Sequence, residues 1–412
     1  MKKRCLIVLC GLKIGGVETY VCRLSKALAN NNIEPTVLIL SRKSDQSIVS
    51  NLEGYANLVW IDEVQKIRGY TSWLNAFIPL KDNFRADLNE FFDYVHVVDS
   101  LSLHFFVLNR NKFNFGKVTI GAYHEQEFFW WRNDNVLFRE EQISIAKLNA
   151  TSILFPNEIM RDHFALANNM TAESLPLLPL GVDMPEYQIM ANKRTLKIVS
   201  IGRLVDFKTY NEGVISVLPA LRMIADFRYE IYGSGPLEKK LKTMVSDLKL
   251  DGIVTFKGNV APESLGNVLN EAFCFVGSGT TIITSASYGV PSIVGIESNL
   301  DTTCGGLFCD VPGYSYNESS CHDHKISIYD SIVDLHKKSD VEYQHVCELH
   351  IKKANEFNIK NTINVFLNYF TSSIKVPAKL HTRLRCAFSA ICSLIPIVGP
   401  GIFSFKSRYY KK

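Results

Sequence analysis

The sequence predicts an α/β protein made of two doubly wound parallel-sheet domains, and three observations predict it. Short, fully apolar runs alternate with stretches of helical periodicity along most of the 412 residues. Glycine-rich loops follow two of those runs, at Gly11–Gly16 and Gly277–Gly279. A break at 175–187, LPLLPLGVDMPEY, divides the pattern into two series, because its three prolines and one glycine disfavour both helix and central strand.

The first series opens with the run Leu6–Leu9, then the glycine loop, then Val17, Val21, Leu24 and Leu28 at helical spacing. Pro35–Leu40 reads as the next buried strand, so the chain starts as a βαβ unit. Leu58–Ile61, Tyr94–Val98, Val118–Tyr123 and Ser152–Phe155 extend the same sheet, while 64–92 shows no clear element. After the break the rhythm restarts, with strands at Lys197–Ile201, Arg228–Tyr232, Ile253–Phe256, Ala272–Val276 and Ser292–Ile296. Helices fit between them at Asn211–Ile224, Leu237–Leu248, Pro262–Asn270 and Ile282–Tyr288. The expected boundaries are 1–178 for the first domain, 179–355 for the second, 356–372 for a helix returning to the first and 373–412 for a tail.

Bulk properties narrow the class. An apolar content of 47% suffices for two cores, and a net charge of +4 does not suggest a nucleic-acid partner. The ten cysteines show no framework spacing, which points to a reducing cytoplasm. The start, MKKRCLIVLCG, has a basic end and a short apolar run without a small-residue cleavage site, and reads as a first strand. Cys304, Cys309 and Cys321 with His322 and His324 do not match the paired spacing of a structural zinc site, and no metal or cofactor is expected.

The chemistry concentrates between Leu196 and Asn299. Arg203 ends a predicted strand and Lys208 follows in its loop, the position at which a doubly wound domain binds ligands. Gly279, Thr280 and Thr281 open a later helix, whose N-terminal amides and dipole favour an anion, although threonine also caps a helix by itself. Two cations and such a loop are what a diphosphate needs.

The ordered motifs resemble the retaining GT-B glycosyltransferases, specifically family 4 (glycosyl transferases group 1), over about residues 1 to 370. GGVETYV (15–21) resembles that family's glycine loop, and DYVHVV (93–98) and GAYHE (121–125) its histidine-bearing strand ends. LPLGVD (178–183), IGRLVDFK (201–208), YGSGP (232–236), FKGNV (256–260) and YGVPSIV (288–294) follow in the family's order. The resemblance implies two facing Rossmann-like domains with a cleft between them. It implies that Arg203 and Lys208 stabilise a departing nucleoside diphosphate, that His124 reaches the donor sugar, and that Gly15, Gly16, Gly258, Val260, Gly279, Thr280, Thr281 and Thr284 contact the donor. Val276 and Thr284 stand where the family carries a Glu-x7-Glu pair, and Val98 replaces its second histidine. A hydroxyl grips a ribose diol less well than a carboxylate does, so weaker donor binding is expected. Glu125 and Glu127 beside His124 are either a base or acceptor ligands, or plain surface charges.

The implied activity is metal-independent, retaining transfer of a hexose-type sugar from a UDP- or GDP-sugar to a growing surface glycan, such as a lipopolysaccharide, or to a lipid-linked saccharide. The alternative is a degenerate, non-catalytic relative that binds a glycan or a partner transferase. An epimerase lacks identifiable acid–base carboxylates, and a dinucleotide-dependent dehydrogenase is disfavoured because GLKIGG is not Gly-x-Gly-x-x-Gly. Aromatic residues within 128–139 either stack on sugars or pack against the sheet. In the tail, basic residues flank twenty uncharged residues, Cys386–Phe405, interrupted by Pro396, Gly399, Pro400 and Gly401. A broken backbone is not tolerated facing lipid, so an interfacial anchor on the inner face of the cell membrane is expected rather than a span.

Overall fold

The computed structural model describes residues 2–13, 15–65, 73–81, 88–124, 127–128, 143–186, 191–261, 264–299, 301–317, 322, 325–371 and 373–376. The chain divides into two compact units, Met1–Pro179 with Ile363–Lys412, and Leu180–Thr362. The tail anchor, Glu125, Cys321, His324 and nearly all of the aromatic segment 128–139 fall outside the described residues. Among the described residues, no helix is long and apolar enough to cross a membrane.

The N-terminal unit holds a six-stranded sheet: β1 (Lys3–Leu9), β2 (Ile33–Ile39), β3 (Asn57–Trp60), β4 (Phe91–Val97), β5 (Asn114–Gly121) and β6 (Ile153–Leu154), in the order β3-β2-β1-β4-β5-β6. All neighbours are parallel. The continuous apolar runs follow from this, since a parallel strand covered on both faces buries every side chain. Leu6, Ile7 and Val8 are each fully buried, and burying such a side chain contributes about 1.5–3 kcal/mol. β6 is shorter than its apolar run because Phe155 leaves the sheet to pair with Leu177 as a single bridge. Thr371, late in the chain, bridges Val118 of β5 through Val118 N–H to Thr371 O at 2.8 Å.

The C-terminal unit carries β7 (Lys197–Ile201), β8 (Arg228–Tyr232), β9 (Val254–Gly258), β10 (Cys274–Gly277) and β11 (Ser292–Val294), in the order β11-β10-β7-β8-β9, again all parallel. A two-residue antiparallel ribbon joins Thr303–Cys304 to Ile326–Ser327. In each sheet the winding direction reverses once, between β1 and β4 and between β7 and β10. Loops leave such a point in opposite directions and open a crevice at the strands' carboxyl ends. The Gly11–Gly16 loop follows β1, and the Arg203 and Gly277–Thr281 segments follow β7 and β10.

One turn shows how the sheet fixes its loops. Gly233, just after β8, has φ +130°, and a Cβ there would overlap the Gly202 carbonyl oxygen at the end of β7. The bare backbone lets Gly202 N–H reach Tyr232 O at 2.9 Å and Leu204 N–H reach Ser234 O at 3.0 Å. Gly233→Ala is therefore expected to destabilise the C-terminal unit by about 2 kcal/mol or more, through a strained backbone and a displaced β7 loop. Chemical denaturation checks this, and an unchanged midpoint contradicts it.

Buried histidines make the fold acid-sensitive. His96 on β4 is fully buried between Thr119 Oγ1 (2.8 Å from Nδ1) and Tyr123 OH (2.9 Å from Nε2), and burial pushes its pKa down to about 3. His350 Nε2 accepts from Ser292 N–H at 2.9 Å, and burial lowers its pKa too. Between the usual histidine value and these lowered ones the unfolded chain binds more protons, so stability falls as pH falls. A His96→Gln variant is expected to lose stability less steeply from pH 6.5 toward about 3 than the wild type does. Parallel pH profiles for the two proteins contradict the assignment.

Candidate functional site

The C-terminal unit gathers the predicted cations and glycine loop at its switch point. β7 leads through Gly202 into Arg203, whose side chain is exposed, and Lys208 N–H closes the loop on Val205 O at 2.9 Å. The Lys208 ammonium lies 3.2 Å from where a Cβ on Gly202 would stand and 3.8 Å from one on Gly279. It thus sits between the β7 end and the glycine loop after β10. Burial lowers its pKa, the Glu297 carboxylate opposes that shift, and Arg203 adds to it.

Gly279, at φ +70°, turns the chain into the Thr280–Ser287 helix. Its N–H is taken by Asn317 Oδ1 at 2.8 Å. Helix geometry leaves the following amides, of Thr280 and Thr281, without intrahelical acceptors, so these are the donors the turn can offer an anion. The Thr281 hydroxyl lies 3.1 Å from Ile201 O and 3.0 Å from Ser278 O, and its proton is spent on backbone. Thr281 accordingly contributes its amide and a tie between β7 and the loop, rather than a free hydroxyl donor. Thr284 Oγ1 likewise donates to Thr280 O at 3.1 Å, which leaves its lone pairs as the acceptors it can offer.

Three residues of this site were not singled out by sequence reasoning. Ser278 is fully buried and its hydroxyl donates to Glu297 Oε1 at 2.8 Å. Glu297, three residues past β11, donates its N–H to Asn317 O at 2.9 Å, and Ser298 N–H reaches Phe207 O at 2.7 Å. A charge just beyond the carboxyl end of a parallel strand was a findable signal for Glu297. Asn317 lies in irregular chain and carried none.

Gly258 closes β9, with φ +69° and open space where a side chain would be, and its carbonyl accepts from Gly233 N–H at 2.7 Å. Val260 is half-buried against the core two residues on. Both lie at the β9 edge of the sheet, two strands from β7.

The remaining predicted residues belong to the N-terminal unit. Gly15 caps the Gly16–Asn30 helix in extended backbone, where a Cβ would displace the Glu18 carboxylate, whereas a side chain at Gly16 would enter open space. His124 is exposed just past β5, and its carbonyl accepts from Glu127 N–H at 2.8 Å. Glu127 is no plain surface charge: its Oε1 accepts from Ser100 N–H at 2.7 Å, and burial, then the neighbouring Asp99, push its pKa up to about 7. Asp99 itself accepts from Cys10 N–H and Ser102 N–H. Of the sulfur and imidazole groups considered for zinc, Cys304 Sγ lies 3.2 Å from Ser331 Oγ, Cys309 contacts Asp310, and His322 Nε2 lies 2.9 Å from Tyr316 O.

Residues 14–185 match the profile of Glycosyltransferase Family 4, and residues 188–299 match Glycosyl transferases group 1, together more than half of the chain. The amylovoran biosynthesis glycosyltransferase AmsK of Erwinia amylovora is 27% identical over 146 residues, 34% of this chain and 35% of that protein. WcaL of Escherichia coli, named for colanic acid biosynthesis, is 27% identical over 136 residues, 31% of this chain and 29% of its own length. The aligned segment thus spans about a third of these relatives. Among solved structures, the lipopolysaccharide outer core galactosyltransferase WaaB superposes with TM-score 0.57 at 15% identity, covering 89% of this chain and 98% of that one. Anabaena Alr3699/HepE, solved with UDP and glucose, gives 0.59 at 11%, with the same coverage of 89% and 98%. The fold and the two consecutive domain matches place the chain among the GT-B glycosyltransferases.

Proposed function

We propose that the protein transfers a sugar from a UDP- or GDP-sugar to a growing surface glycan or lipid-linked saccharide, with retention at the anomeric carbon. The observation that carries this reading is the Lys208 ammonium set beside the Gly279 turn at the switch point of the C-terminal sheet. Relatives named for colanic acid and amylovoran biosynthesis and a neighbour solved with UDP and glucose support it.

In this reading the diphosphate lies against Arg203, Lys208 and the Thr280 and Thr281 amides. As the bond from the sugar carbon to the diphosphate oxygen breaks, negative charge grows on that oxygen, and these fixed donors stabilise it. They supply the positive charge, so the reaction needs no metal. The acceptor hydroxyl attacks from the face the diphosphate leaves, forms the new bond to the same carbon, and gives its proton to a diphosphate oxygen. Gly258 and Val260 border the nucleotide base and Thr284 accepts from the ribose, while Gly15, Gly16 and His124 keep the donor contacts that the family resemblance implies. The second reading, a non-catalytic binder, draws on one feature: Thr284 offers a neutral acceptor where a carboxylate would hold the ribose more strongly.

The tail adds a location. Its basic flanks and interrupted apolar run suit anionic lipid, which would hold the enzyme on the inner face of the membrane beside a lipid-linked acceptor.

Arg203→Ala and Lys208→Ala are expected to lower kcat by about 100-fold or more while shifting the melting temperature little. Near-normal turnover in both removes them from the site, and a wild-type chain neither turning over nor stabilised by millimolar UDP or GDP supports the binder. Full-length protein is expected to float with anionic liposomes and a chain ending at Val376 to stay behind. That end point keeps Ile374 buried and the Asn149–Lys375 hydrogen bonds intact. Equal flotation of the two chains contradicts membrane contact through the tail.

A further inference from the structure

We propose that Glu297 is a positioning residue of the diphosphate site: from beyond β11 it fixes Ser278 and supplies the counter-charge against which the Lys208 ammonium is set. The inference rests on the functional reading above and extends it to a carboxylate that no part of that reading uses. Neither Val276 nor Thr284, on the β10 strand and its helix, brings a carboxylate to this loop. One arrives from the adjacent strand instead.

The geometry is that of a held group. Glu297 Oε1 accepts from the buried Ser278 hydroxyl at 2.8 Å, in the middle of the glycine loop. Its backbone N–H is bound by Asn317 O at 2.9 Å, while the same asparagine's side-chain oxygen takes the Gly279 N–H at 2.8 Å. Ser298, the next residue, is held at φ +58°, a conformation uncommon outside glycine, and its N–H bonds Phe207 O, the residue before Lys208, at 2.7 Å. The backbone that carries Glu297 is thus joined directly to the backbone that carries Lys208. Strain of this kind persists where surrounding bonds over-determine it.

The groups facing the ammonium come from three elements. Arg203 stands at the β7 end and Glu297 beyond β11, while the Tyr210 hydroxyl, at the start of the next helix, lies 3.2 Å from the same Gly202 position that the ammonium approaches. Burial, with Glu297 adding to it, raises the Tyr210 phenol, which stays neutral and shares a hydrogen bond with Ser278. Asp206, on the same loop as Lys208, is exposed. Burial and Arg203 both act to discharge Lys208, and Glu297 acts against them. A half-buried lysine that loses its proton no longer binds a diphosphate, so this carboxylate extends the pH range over which the site works. It also repels the ligand directly. Those two effects have opposite signs, and pH separates them.

The experiment measures affinity of full-length protein for inorganic pyrophosphate, UDP and GDP by calorimetry from about pH 6 to about pH 9.5, for the wild type and Glu297→Gln. The readout is the ratio of variant to wild-type affinity, in which titration of the ligand itself cancels. The ratio is expected at or above one near pH 6, up to about tenfold, and to fall below about one third toward pH 9.5. Glu297→Asp, which keeps the charge, is expected to restore the basic limb, and in a Lys208→Met background Glu297→Gln is expected to leave the ratio flat. A uniform loss at every pH, as a merely structural role would give, overturns the proposal, and so does an unchanged profile. If Glu297→Gln fails to melt cooperatively, Ser278→Ala, which frees the carboxylate without removing its charge, is read instead. Its ratio is expected to fall with rising pH, and a pH-independent ratio overturns the proposal. A wild type that binds none of the three probes overturns the functional reading together with this one, whereas binding with a flat ratio overturns this one alone.

Discussion

The constraint on which the site depends is the joining of four strand-end segments around the point where the C-terminal sheet reverses its winding. The loop after β7 is tied to the turn after β8 by Gly202 and Leu204, and to the chain after β11 by Phe207 and Ser298. The loop after β10 is tied to the same chain through Ser278 and through Asn317. Each hydrogen bond contributes only about 1 kcal/mol net, yet together they leave the Lys208 loop little freedom. A flexible lysine would lose rotamer entropy on meeting an anion. Here much of that cost is met when the chain folds, which is what preorganisation means for an electrostatic site.

How much of this was legible in the sequence follows from which interactions are local. Strand and helix positions were readable because parallel strands buried on both faces leave largely apolar runs, unbroken at Leu6–Leu9 and interrupted only by Ser200 within Ile198–Ile201, and because the intervening helices keep a 3.6-residue period. Arg203, Lys208 and Gly279 were readable because each lies within a few residues of a strand end or a helix start. Ser278 and Asn317 were not, and the strand-end position of Glu297 marked its place without its partners. Their roles arise from contacts spanning 19 and 38 residues, which no local period encodes. The proton of Thr281 is another such case. Its commitment to the Ile201 carbonyl, 80 residues away, makes the hydroxyl a structural tie.

The N-terminal unit illustrates the same division. Its glycine loop and its histidine-bearing strands were visible, but the state of Glu127 was not. That carboxyl group lies at the start of the Ser100–Asn109 helix beside Asp99, and the combination of burial and a like charge holds its pKa at about 7. His96 was a motif position in the sequence. In the structure it is a buried link between Thr119 and Tyr123, and Phe366 of the Ile359–Asn368 helix packs edge-on against it with ring centroids 5.1 Å apart. Its part is to order the strand end that carries His124, through the adjacent Tyr123.

Where a diphosphate binds decides whether these loops form the site. A crystal structure of the protein with UDP or GDP tests this most directly. The account predicts diphosphate oxygens about 3 Å from the Lys208 ammonium and the Thr280 and Thr281 amides, with the Arg203 guanidinium closing over them. A nucleotide bound with its diphosphate away from the ends of β7 and β10 would contradict it.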